Sequence, residues 1–101
     1  MLLSEIIFTL NENEDFDIKF EKIKDSIKNI GFEETAKIYS VSESKKSGGK
    51  IGWVYKSQLS NKISDQINKI ELGEFTNPIT VPGGFILIKL NDKKNQLMEI
   101  N

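Results

Sequence analysis

From Phe16 to Ile30 the apolar residues are Phe16, Phe20, Ile23, Ile27 and Ile30, spaced 4, 3, 4 and 3 apart. One face of a helix has that period, so the spacing predicts a helix over about Asp15–Ile30. Acidic residues open it, Lys28 lies near its end, and Gly31 is placed to stop it. A second helix is expected from Phe32 to about Ser40, with Phe32, Ala36 and Tyr39 on one face and Ile38 beside them. A third is expected over about Leu59–Leu72, capped by Ser57 or Ser60, with a stripe of Ile63, Ile67 and Ile70 and a stop at Gly73. The remaining apolar runs have another character. Leu3–Leu10 and Phe85–Leu90 are apolar on both faces, which marks strands buried in the middle of a sheet. Lys50–Tyr55 and Phe75–Val81 read as shorter strands, and Pro78 suits a sheet edge.

The order is therefore β-α-α-β-α-β-β, with a loop rich in Ser, Lys and Gly at Val41–Gly49 and a tight turn at Pro82-Gly83-Gly84. The economical α+β solution is four mostly antiparallel strands covered by helices, with the first and last strands adjacent in the middle. One domain is expected over 1–101, with its core at about 3–92 and a frayed or linker-like tail beginning at Asn91.

Composition narrows the chemistry. The chain has 14 basic and 15 acidic residues, and every basic residue is lysine. That balance gives no field to steer it to nucleic acid or an anionic membrane, and no arginine fork for phosphate or carboxylate. With no His and no Cys, disulfides, His/Cys zinc sites and Ser-His-Asp or Cys nucleophiles are excluded. No apolar run approaches the roughly 18 residues of a membrane span. Gly48-Gly49-Lys50 is not a phosphate loop, because no Gly-Lys-Ser/Thr ending follows and a strand, not a helix, comes next. No cofactor or metal is expected.

Gly48-Gly49-Lys50-Ile51-Gly52-Trp53, with Gly73-Glu74-Phe75-Thr76-Asn77-Pro78-Ile79 and Gly83-Gly84-Phe85-Ile86-Leu87-Ile88-Lys89, resembles the parvulin family of peptidyl-prolyl isomerases, and within it the SurA-like periplasmic chaperones. The resemblance runs from about Leu3 to Asp92 and implies the same element order. Such enzymes speed rotation about X-Pro bonds, whose barrier comes from amide resonance. They do so with an apolar cup for the proline ring and polar groups that stabilise the twisted amide.

The resemblance also assigns positions. The family's first-strand histidine falls on Glu5 and its last-strand histidine on Ile86. Where members show Ser-Asp-Cys or Ser-Asp-Asp, this chain has Ser40-Val41-Ser42. The cup's Met or Leu falls on Leu59 and its Phe on Ile63, while Gly83 stands where some members carry Ser, and Trp53 follows the Gly52 of an Ile-Gly-Trp pattern. Each has a plainer reading beside it. Glu5 reads as a substrate-contacting or proton-handling group, or as a carboxylate that simply hydrogen-bonds or reaches solvent. Leu59 and Ile63 read as pocket wall or helix core, Ile86 as ligand contact or core, Trp53 as pocket or strand scaffold, Ser42 as pocket hydroxyl or loop serine. Lys45 and Lys46 read as a solvated loop or as an attraction for acidic segments. The resemblance implies a periplasmic module of a longer chaperone. Its partners would be unfolded or extended polypeptide, proline- or aromatic-containing, including outer-membrane precursors, and other domains of its parent chain. With both imidazole positions altered, catalysis is expected to be weak or lost. An active isomerase and a non-binding structural domain are the alternatives.

Overall fold

The computed structural model describes residues 1–93. The elements are β1 (Leu2–Phe8), α1 (Phe16–Ile30), α2 (Phe32–Tyr39), β2 (Lys50–Trp53), α3 (Asn61–Ile67), β3 (Ile79–Val81) and β4 (Gly84–Asp92), with 3₁₀ turns at Glu43–Ser47 and Lys56–Gln58. The strands form one antiparallel sheet in the order β2-β1-β4-β3. The two doubly apolar strands are thus the central pair, as expected.

Their register divides the molecule into two half-cores. Leu3, Glu5 and Ile7 of β1 lie opposite Leu90, Ile88 and Ile86 of β4, and the intervening residues Ser4, Ile6 and Phe8 lie opposite Lys89, Leu87 and Phe85. Alternate residues face opposite sides of a sheet. On one side Ile6, Phe8 and Leu87 pack with Ile23, Phe32 and Ala36 from α1 and α2. Phe8 stacks on both Phe16 and Phe85, with ring centroids 6.2 and 5.4 Å apart. On the other side Leu3, Ile86, Ile88 and Leu90 pack with Ile67 of α3 and Ile79 of β3.

Side chains cap both helix starts: Ser60 is one of the two serines expected to cap α3, whereas the cap of α1 is Asp15, which was expected inside the helix. The Asp15 carboxylate accepts from the Ile18 amide at 3.0 Å, and the Ser60 hydroxyl from the Ile63 amide at 3.3 Å. In the loop before α1, the Asn11 amide and then the Lys19 ammonium hold the Glu14 carboxyl below its ordinary pKa. A depressed carboxylate contributes stability above the unfolded-state pKa and loses it as pH falls through the folded value.

Several boundaries and burials differ from expectation. α3 ends at Ile67, not near Leu72, because Asn68–Ile70 tighten into bonds of the i to i+3 kind, from the Lys69 amide to Gln66 and the Ile70 amide to Ile67. Ile70 still reaches the half-core, so the stripe survives the end of the helix. The expected strand Phe75–Val81 is interrupted. Phe75 bridges Lys89, and the Thr76 amide donates to the Ile88 carbonyl, but the next ladder donor, the Ile88 amide, goes to the Thr76 hydroxyl at 3.1 Å. Pro78, which has no N–H, follows the break, and β3 proper starts at Ile79 on the sheet edge. β1 stops at Phe8 rather than Leu10, and β2 at Trp53 rather than Tyr55.

Ile30 is 48% exposed although it continues the α1 stripe, because Phe32 of α2 takes the buried place beyond the turn at Gly31. Ile38 is exposed as well, lying two residues from Ala36 and so on the outer side of α2. Asn91 is not frayed. It belongs to β4, and its side-chain amide donates to the Ser4 hydroxyl at 2.8 Å. The expected tail, from residue 94 onward, lies outside the described residues.

Phe8→Ala should destabilise the domain by about 3–5 kcal/mol, because it leaves a cavity inside an aromatic stack. Ile30→Ser, on the exposed end of the same stripe, should stay within about 0.5 kcal/mol. Urea unfolding of both variants distinguishes them.

Candidate functional site

β1 is seven residues long and β2 only four, so most of one edge of β1 would lack partners. The Ser40–Gly49 segment supplies them. The Glu5 amide donates to the Gly49 carbonyl at 2.8 Å, the Ile7 amide to the Ser40 hydroxyl at 3.1 Å, and the Val41 amide to the Ile7 carbonyl at 2.7 Å. Ser40 is buried, and its hydroxyl also accepts from the Ser42 amide at 3.3 Å. A side chain here takes the place of a ladder carbonyl, which is why a serine ends α2. Gly49 has φ 84°, and a Cβ there would strike the Glu5 carbonyl oxygen. Only glycine lets the loop lie so close to the strand.

This stitching brings two hydroxyls over Glu5. Ser42 donates to its Oε2 at 2.5 Å and Ser44 to the same oxygen at 2.7 Å. Ser44 also lies 3.2 Å from Ser42 Oγ, but its single proton is better used on the nearer carboxylate. Glu5 is half-buried on the α3 face of the sheet, between Leu3 and Ile7 and opposite Ile88. One pleat further on, Ile86 is flanked by Ile7 and Ile79 and is 6% exposed. Leu59 and Ile63, half-buried, pack against this same cluster. The result is an apolar cluster between α3 and the sheet, with one carboxylate and two hydroxyls at its β1 end.

A family model described as "Rotamase: PPIC-type PPIASE domain" matches residues 3–92. The chain belongs to the PPIC-type peptidyl-prolyl isomerase family. It is 35% identical over 78 residues to the chaperone SurA of Pseudomonas syringae pv. tomato, a match covering 76% of this chain and 18% of that one. It is 26% identical over 87 residues to the periplasmic chaperone PpiD of Haemophilus influenzae, covering 85% and 14% of the two. The crystal structure of PrsA from Bacillus subtilis superposes with a TM-score of 0.75 at 27% identity, covering 99% of this chain and 38% of that one. The chain thus spans less than a fifth of the length of these two chaperone relatives.

Within this PPIC-type fold, five of the seven residues singled out from the sequence converge. Glu5, Ser42, Leu59, Ile63 and Ile86 share the α3 side of the sheet. Trp53 does not join them. It lies on the edge strand β2 opposite Leu2, is 55% exposed, and belongs to neither half-core. Gly83 sits in the β3–β4 turn, where Pro82 and a φ of 86° give the pattern of a type II turn. Sequence reasoning missed Ser44, whose only signal was its place two residues after Ser42. It also gave no role to Ser40, whose hydroxyl completes the β1 edge. A cleft of about 330 Å³ opens between the start of α1 and Tyr39, and none of the seven singled-out residues line it.

Ser40→Ala should cost about 1–3 kcal/mol by stranding the Ile7 amide, and Gly49→Ala roughly 2–4 kcal/mol through strain and collision. In both, hydrogen exchange at the Ile7 amide should accelerate more than at Leu87, in the centre of β4.

Proposed function

We propose that this domain holds extended, unfolded polypeptide in the groove between α3 and the sheet, as one module of a longer periplasmic chaperone, with isomerase activity weak or lost. Proline or aromatic side chains would enter the apolar cup of Leu59, Ile63 and Ile86, and outer-membrane precursors are the expected clients. The observation that carries this reading is the pairing of groups at the two family histidine positions. Glu5 turns to Ser42 and Ser44, while Ile86 is a hydrocarbon packed between Ile7 and Ile79. No hydrogen bond can join the two positions. Rotation of an X-Pro bond gains most from polarity held in place for the transition state. Apolar burial serves planar and twisted amides alike, and such uniform binding gives affinity without rate.

One feature favours an active isomerase instead. The Ser42–Glu5–Ser44 cluster is itself a fixed polar group beside the cup. The two readings separate in one experiment. X-Pro peptides are titrated into the purified chain, and their cis/trans exchange is followed by NMR. Saturable binding is expected, with exchange far slower than an ordinary parvulin gives. Leu59→Glu should weaken binding about tenfold or more, since a charge would enter the cup wall. Turnover at ordinary parvulin rates, abolished by that substitution, would overturn the proposal.

A further inference from the structure

Glu5 is half-buried, and both hydroxyls that reach it take the same oxygen, Oε2. Among the described residues no donor is bonded to Oε1, and no lysine forms an ion pair with this carboxylate. Lys45 and Lys46 share the 3₁₀ turn with Ser44 but are exposed. Two neutral dipoles therefore answer one charge, on one of its two oxygens. A partly desolvated carboxylate in that condition gains most from a cation, because opposite charge is worth more where water is reduced.

Position says where such a cation would come from. Glu5 is two residues from Ile7 along β1, roughly 7 Å at strand rise. Ile7 and Ile86 are opposite one another in the apolar cluster that Leu59 and Ile63 pack against. An extended peptide with a proline ring above Ile86 has its neighbouring side chains within a lysine's reach of Glu5. Ser42 and Ser44 act as positioning residues: they pin Oε2 and so hold Oε1 in one orientation.

We propose that Glu5 is a specificity-determining residue, selecting peptides that carry lysine or arginine next to the groove-bound proline. The inference rests on the peptide-binding reading above and adds to it the class of peptide. Glu5 takes no part in bond rotation here; it ranks one peptide above another.

The test compares three short peptides that differ only in the residue before proline: lysine, norleucine (the same stem without the charge) and glutamate. NMR titration of the intact chain at low salt should give lysine about tenfold tighter than norleucine, about 1.4 kcal/mol, and glutamate weakest. In E5Q the ratio of lysine to norleucine affinity should fall to near one. Should E5Q fail to fold, the wild-type chain supplies the second arm. Raising ionic strength from about 0.05 to about 0.5 M shortens the screening length severalfold and should shrink the lysine advantage while leaving norleucine nearly unmoved. Equal binding of lysine and norleucine by the wild-type chain overturns the specificity role and leaves the groove reading standing. A lysine preference that survives in folded E5Q also overturns it. Binding of none of the three peptides overturns both.

Discussion

The pairing of β1 with β4 is the constraint on which the rest depends. These strands come from the two ends of the described chain, yet they share the longest ladder, from Leu2 opposite Asp92 to Phe8 opposite Phe85. Both are apolar on both faces, so each can be buried only where helices cover the sheet from two sides. The register then decides what every other element meets. A slip of one residue would turn Phe8 toward α3 and carry Glu5 to α1 and α2. Two glycines guard it. A side chain at Gly49 or Gly84 would strike the backbone carbonyl of Glu5 or Phe8, one at each end of this stretch of β1.

The α3 side of the sheet inherits its chemistry from that register. Ile86 is set between Ile7 and Ile79 in hydrocarbon, and Glu5 is set beside the Ser40–Gly49 segment, where two hydroxyls reach one of its carboxylate oxygens.

Element types and their order were legible because period carries them. The stripe from Phe16 to Ile27 can only be a helix, and runs such as Ile6-Ile7-Phe8 can only be covered twice. Ends were less legible. Ile70 keeps the period of α3 after the helix has stopped, since three-residue and four-residue turns both bring it to the same face. The break near Pro78 was visible as a proline but not as a ladder rescued by the Thr76 hydroxyl. The convergence of Leu59, Ile63 and Ile86 followed from resemblance to a family. That Trp53 would stand on an edge strand was not legible, because an aromatic after glycine says nothing about which strand will be an edge. Ser44 escaped notice because its contact with Glu5 spans 39 residues of sequence, and only the folded loop brings the two together.

The antiparallel pairing of first and last strands has a mechanical side. Leu2 faces Asp92, and residues facing each other across such a ladder have Cα atoms about 4.5–5.5 Å apart. Any polypeptide joined to the two ends therefore departs from nearly one point, as from a stem. The domain can be set into a surface loop of a host without forcing the host's ends apart. Tension along the host would load the ladder one rung at a time, opening it like a zipper from Leu2 and Asp92 inward. Ile7 and Ile86 lie further up that zipper, so a pull on the stem undoes its own anchorage before it disturbs the cluster beneath α3.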